Sequence, residues 1–547
     1  MKKLFLTSFI SLSLIFGGCK KTLNTQPQDF LSPETFFTKA EDATAALNAA
    51  WRILENPYMY NGFYQYRMQT QDDCLTNLSS GFPSNLGVNA TFSYYSARWN
   101  DMYKAIQYVN VLLVNLPRVP MDETQKGIIR GEALFLRGFL YYELVKDWGP
   151  VPLRLTPTSG PGDISVAGSS MKDIYTQVLK DLTEAEGLVP TTANQNYGGA
   201  GYAAKTTVEA ILARVCLSMA GYPINDVSKY QDAKNWAQKV VDSHEHSLNP
   251  DYTQVFKNYA AGVIDKKESL WEIDFNYGPG TTATAGQVGY LDGIAQNNTA
   301  FGKAAGQFTI TRKLFLSYGA VTPSNSTTKD LRRDWNCAPF TWKSTTTNAD
   351  VESSKTYYTP LQMYTRRFAK FRLYYCPLPF SNAGQSPINW PIVRYSDVLL
   401  MLAEAENYVS GPTALAYNCI NQVRERAWGK MLPGATNITE ADEPAGMDKK
   451  AFQDEIQNER LRELAGEALR KQDLIRWGIF VATIKSLLAD FTDTTYPADN
   501  GARSTSSGQP YSVVLHFNAT VSNRDLLWPI PASELQYNKL LKQNPGW

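Results

Sequence analysis

Apolar residues recur along most of this chain at three- and four-residue spacing. Ala43, Leu47, Ala50 and Leu54 mark one stripe, Trp99, Tyr103, Ile106, Asn110 and Leu113 a second, and Ala133, Leu136, Leu140 and Leu144 a third. Such spacing puts side chains on one face of a helix, and each face must be buried against a neighbour. Further stripes follow at Ile174, Val178, Leu182 and Ala185, at Val208, Ile211, Val215 and Met219, and at Tyr230, Ala233, Ala237 and Val240. Thr206 and Glu209 have the spacing of a capping box, and Gly221 stands where that helix should stop. Helix starts near Lys172 and Thr206 lie about 34 residues apart, the tetratricopeptide pitch. The reading is an all-α-dominated scaffold of tetratricopeptide-like helical pairs with loop-rich insertions and minor β; an unrelated helical bundle is the alternative.

The texture changes near Glu268. SLWEIDF reads as a strand, and Gly, Thr, Asn and Ser with scattered aromatics run to about Pro391. A long irregular stretch inside a folded chain is usually functional. Helical patterning resumes at Val393 in VRYSDVLLMLAEAENYV and AYNCINQVRERAW, and a long helix is expected from about Phe452 to Trp477. Pro529, Pro531 and Pro545 favour extended geometry, so Trp528 to Trp547 should wrap back onto the helices.

The opening MKKLFLTSFISLSLIFGGCKK has a basic start at Lys2 and Lys3, an apolar run from Leu4 to Phe16, then Gly17, Gly18 and Cys19. The run is too short to span a bilayer and ends in small residues before a cysteine, which reads as a lipoprotein signal with Cys19 lipidated. Phe16 stands where a leucine is usual. This divides the chain into a signal peptide over 1–18, the lipidated cysteine and tether over 19–30, an N-terminal helical region over 31–267, a variable loop-rich region over 268–391, and a C-terminal helical region with its tail over 392–547.

Charge excludes one class of partner. The chain has 53 Lys and Arg against 52 Asp and Glu, for a net +1, so nucleic acid is not expected. Cys74, Cys216, Cys337, Cys376 and Cys419 form no CxxC pair; Cys216 and Cys419 fall in helical patterns as small core residues, and one disulfide among the rest is left open. His244, His246 and His516 show no metal spacing, and Gly199, Gly201 and Ala204 mimic a dinucleotide fingerprint with no strand before them. Asn110, on an apolar stripe, reads as a satisfied core amide.

Glu459, Glu463 and Glu467 form a like-charge row at i, i+4, i+8 that needs neutralising cations. Arg462, Arg470 and Lys471 are local partners, and Arg394, Arg424 and Arg426 lie on other helices. With Arg470 and Asp473 the row reads as a structural ion-pair set fixing helix packing, in preference to a glycosidase pair.

Several segments together resemble the SusD/RagB family, over almost the whole mature length: LNTQPQDFLSPETFF, RGEALFLRGFLYYELVKDWGPVPL, TVEAILARVCLSMAG, RYSDVLLMLAEAEN, CINQVRERAWG, NERLRELAGEALRKQDLIRWG and LLWPIPASELQYNKLLKQNPGW. The resemblance implies a non-catalytic lipoprotein of the outer membrane. It would be anchored in lipid through acylated Cys19 and would capture oligosaccharide, or alternatively peptide, for a SusC-like TonB-dependent transporter. Lys20 and Lys21 follow the cysteine where the family often has acids, so exposure on the cell exterior rests on the resemblance. No cofactor is implied, with a structural Ca2+ left open. The ligand residues it implies are Asp73, Trp99 and Asn100 in the first region and Tyr277, Tyr290, Trp335 and Trp342 in the variable one.

Overall fold

Helix Glu123–Trp148 is buried on nearly every side from Gly131 onward, with helices Ala40–Trp51, Ser93–Asn115 and Met171–Glu186 packed against it. In the computed structural model the described residues are 36–62, 64–76, 88–194, 196–275, 285–296, 303–322, 327–343, 353–377, 384–435, 438–492 and 510–547. Cys19 and the tether lie outside them, as does Tyr277.

The helices are α1 (Ala40–Trp51), α2 (Tyr64–Met68), α3 (Ser93–Asn115), α4 (Glu123–Trp148), α5 (Met171–Glu186), α6 (Lys205–Ala220), α7 (Lys229–Asp242) and α8 (Tyr252–Ala261). They continue as α9 (Arg312–Ser317), α10 (Arg332–Asn336), α11 (Tyr395–Ser410), α12 (Ala414–Ala427), α13 (Lys449–Leu464), α14 (Arg470–Arg476), α15 (Phe480–Thr492), α16 (Pro510–Thr520) and α17 (Ala532–Tyr537). Each of α3 to α6 packs on the next, and α7 packs on α11, which packs on α12 and α13. The solenoid is therefore closed by a helix from beyond the loop-rich region. Ser170, Thr413 and Asp448 cap α5, α12 and α13 by accepting backbone N–H bonds.

Strand content is small. Among the described residues β1 (Cys74–Thr76) pairs with β3 (Phe308–Ile310), β2 (Ser269–Ile273) with β6 (Trp390–Arg394), and β4 (Phe340–Trp342) with β5 (Lys355–Tyr357), all antiparallel. The predicted strand at SLWEIDF is β2, fully buried beneath α6.

Four expectations change. The 34-residue spacing covers one helix and its connecting segment, because the intimate pairs are α4 with α5 and α6 with α7. Helix α6 starts at Lys205, which places Thr206 and Glu209 inside it, both buried; the Thr206 hydroxyl bonds His246 Nε2 at 2.8 Å. The helix expected over 452–477 is broken at Ala465–Leu469, where Gly466 and Ala468 have φ of 77° and 57°. The Gly466 N–H is donated to Asp73 Oδ2 at 3.2 Å, a tertiary bond that a continuous helix would forfeit. Finally, all five described cysteines are buried and free.

The tail behaves as its prolines predict. Trp148 Nε1 donates to Pro529 O at 3.0 Å, Asn544 Nδ2 bonds the Trp148 and Trp528 carbonyls at 2.8 Å each, and Trp528 stacks on Tyr95 with centroids 4.7 Å apart. Asn110 is a satisfied amide, donating to Arg154 O at 3.0 Å and accepting from Arg137 Nη1 at 3.0 Å.

Candidate functional site

Phe340 and Trp342 are two residues apart on β4 and so share a face of the hairpin, with Tyr357 opposite Phe340 in register. Phe340 meets Trp342 edge-on at 5.2 Å and Tyr357 at 5.9 Å. Trp342 meets Tyr374 at 5.5 Å, Tyr374 meets Tyr375 at 4.6 Å, and Tyr375 stacks on Trp335 at 5.8 Å. Six rings thus form one continuous row. Tyr357 is 59% and Tyr375 37% exposed, while Trp335 and Trp342 are 6% and 8% exposed and support the row from below.

Cations hold the row in place. The Arg372 guanidinium lies 3.9 Å over the Trp335 ring, and its nitrogens bond the Asp334 and Trp335 carbonyls and the Tyr374 hydroxyl at 2.9 Å each. Lys257 of α8 sits 5.5 Å from the Trp335 centroid and 5.7 Å from that of Tyr375; Lys355 stands 4.6 Å over Phe340. Burial, with Tyr374 beside it, pushes the Tyr375 hydroxyl above its ordinary value, so it stays a neutral donor at physiological pH. Flat faces with fixed donors at the edge can pack the C–H side of a sugar ring and bond its hydroxyls.

The sequence-derived candidates divide. Trp335 and Trp342 come together in the row. Tyr290 is half-buried and, among the described residues, makes no ring contact with it; its carbonyl accepts from Ala305 and Gly306. Trp99 is 2% exposed and packs edge-on against Trp148 at 5.4 Å, while Asn100 is exposed at the mouth of a groove of about 520 Å3 lined also by Tyr103, Arg154 and Tyr537. Asp73 is fully buried, so it has no surface for a ligand; burial, and then Asp72, push its carboxyl up to about 6. Sequence reasoning missed Phe340, Tyr357, Tyr374 and Tyr375. Their signals were the period-two FTW and KTY segments and the YY doublet inside a Gly- and Thr-rich stretch.

The glutamate row is a buried ion-pair network. Arg332 pairs with Glu459 at 2.5 Å and Glu463 at 3.1 Å; Arg394 with Glu463 at 3.0 Å and Glu467 at 2.7 Å; Arg426 with Glu463 at 2.6 Å; and Lys370 with Glu467 at 2.7 Å. Asp473 pairs with Arg460 at 2.8 Å and Arg476 at 2.9 Å, and Arg470 pairs with Asp72 outside the row. Lys370, next but one to Arg372, ties this network to the backbone beneath Trp335, whose indole donates to Lys370 O at 3.1 Å. Among the described residues no group of three or more His, Cys, Asp or Glu side chains is arranged to hold a metal ion, and no helix is long and apolar enough to cross a membrane.

Residues 267–547 match the family model described as "SusD family", and residues 31–217 match one described as "Starch-binding associating with outer membrane". The chain belongs to the SusD family. SusD-like protein P2 of Formosa agariphila is 27% identical over 573 residues, covering 100% of both chains. The crystal structure of a SusD homolog from Bacteroides thetaiotaomicron superposes with a TM-score of 0.81 at 27% identity, over 94% of this chain and 98% of that one. A structure named as a laminarin-binding SusD-like protein has a TM-score of 0.67 at 22% identity, over 93% of this chain and 100% of that one. The helical, tetratricopeptide-like architecture of this SusD-family chain is thus shared with solved relatives, and the family ties it to the outer membrane.

Proposed function

We propose that this SusD-family protein captures oligosaccharide on the row of rings from Trp335 to Tyr357, without cleaving it. Acylated Cys19 would hold it to the outer membrane, on the cell exterior, and a SusC-like TonB-dependent transporter would receive the ligand. The carrying observation is the unbroken aromatic row with solvent-facing Tyr357 and Tyr375 at its edge. The laminarin-binding name of one structural neighbour supports a glycan. The deep burial of Glu459, Glu463 and Glu467, each engaged by cations, supports a frame role for these acids.

The test is isothermal titration against a panel of oligosaccharides and peptides, with product analysis. Binding of a glycan recovered intact is the expected result, with Tyr375→Ala and Tyr357→Ala each weakening it about tenfold, or roughly 1.4 kcal/mol, at unchanged melting temperature. Steady release of reducing ends would exclude the reading, and heat from peptides alone would move it to peptide capture.

A further inference from the structure

A cavity of about 270 Å3 opens where the C-terminal segment crosses the ends of α4, α6 and α14. Tyr175, Ile475, Leu526 and Leu527 give it apolar lining, and Lys146, Arg476 and Arg524 line it as cations, Arg524 being held by Asp525 at 3.0 Å and lying 4.3 Å over the Trp547 ring. No carboxylate is among the described residues that line it.

The charges behind the cavity do not balance. Arg67 pairs with Glu143 at 2.6 Å and Asp147 at 2.5 Å, Arg98 pairs with Glu143 at 2.9 Å, and Lys146 pairs with Glu143 again. Three cations share two carboxylates, and the Lys146 side chain is only 9% exposed. An excess buried charge is costly unless something compensates it. Part of the cost is avoided by deprotonation: burial, and then Arg67, pull the Lys146 ammonium down to about 8. Arg476 and Arg524 of the lining, and Arg214 behind it, add no unmatched charge, being paired with Glu404, Asp525 and Asp397. Lys471, 8% exposed, makes no ion pair among the described residues and has only Asp525 and Asp147 as counter-charges.

We propose that this cavity binds a small organic monoanion, with its carboxylate on Lys146, Arg524 as a second cation of the same lining, and a ring-sized apolar body against Leu526, Leu527 and Ile475. Its volume is near the ~300 Å3 lower end of small-ligand clefts, which excludes a glycan chain. The site is built from α4, α5, α14 and the C-terminal segment, apart from the aromatic row on α8, α10, β4 and β5.

Titration calorimetry of the full chain with sodium benzoate, and with benzamide as its neutral counterpart, tests this without any glycan present. Benzoate is expected to bind and benzamide to give no heat. Benzoate affinity is expected to fall about tenfold between pH 7 and pH 9, as a group titrating near 8 loses its proton. Lys146→Met is expected to abolish binding, and Arg524→Gln, at a residue 29% exposed at the rim, to weaken it severalfold. Equal heats from benzoate and benzamide, no benzoate heat at millimolar concentration, or full affinity in Lys146→Met would overturn the proposal. Should Lys146→Met fail to fold, undiminished binding in Arg524→Gln with a flat pH profile would do the same.

Discussion

Asp72 and Arg470, 398 positions apart in the chain, face each other as a two-pronged pair, with Nε to Oδ1 at 2.7 Å and Nη2 to Oδ2 at 2.9 Å. Both are buried, and Lys313 adds a second cation to Asp72 at 2.7 Å. The pair clamps the segment before β1 onto α14, just after the break in the long helix. A bidentate geometry of this kind is directional as well as strong.

Breaking that clamp on one side strands a buried guanidinium. Asp72→Asn is expected to cost about 3–5 kcal/mol in urea unfolding. The double variant Asp72→Asn with Arg470→Met should lose less than the two single losses added together, with a coupling of about 1–3 kcal/mol. Strict additivity would show that the clamp contributes nothing as a pair.

Acid should unfold the protein through the glutamate network. Burial opposes the Glu463 charge, but Arg426, Arg394 and Arg332 outweigh it and hold the carboxyl at about 2, below its ordinary 4.5. A depressed folded-state value means the contribution is complete above about pH 4.5 and is lost as pH falls toward 2. Glu463→Gln is expected to be less stable by about 3–5 kcal/mol at pH 7 and to converge on the parent at low pH. Parallel stability curves for the two across the acid range would refute this.

Asp292 has the opposite sign. Burial pushes its carboxyl up to about 7, only partly offset by the Gly289 N–H at 2.6 Å and the Tyr64 hydroxyl at 3.1 Å. Its folded state favours the proton, so stability present below pH 4 is lost as pH rises toward 7. Asp292→Asn keeps an acceptor for both donors and removes the ionisation. Its stability is expected to exceed the parent's at pH 8 by on the order of 1 kcal/mol or more, seen as a higher melting temperature, and to fall less steeply above pH 5. A lower melting temperature at pH 8 would count against the assignment.

Gly221 tests a close approach. Its φ of −91° is open to any residue, but a Cβ there would lie 2.3 Å from the Arg476 carbonyl oxygen, to which Tyr222 N–H donates at 2.8 Å. Gly221→Ala is expected to cost about 1–3 kcal/mol by forcing α6 and α14 apart. Calorimetry showing no loss would mean that the two backbones separate freely.

The helical stripes, the strand at SLWEIDF, the wrapping tail and the glutamate row's need for cations, with Arg394 and Arg426 among the candidates, were all legible in the sequence. These depend on local periodicity and on the rule that a like-charge row must find cations. Folding alone decided where the long helix breaks, because the Gly466 N–H is taken by Asp73 from nearly four hundred residues away. It decided that Asp73 belongs to the frame and not to a ligand surface. It also decided that Trp335 and Trp342 meet through Tyr374 and Tyr375, since ring contacts between separate segments leave no periodic trace along a chain. Period and composition report which faces must be buried; only the packed backbone determines which distant groups share a burial site.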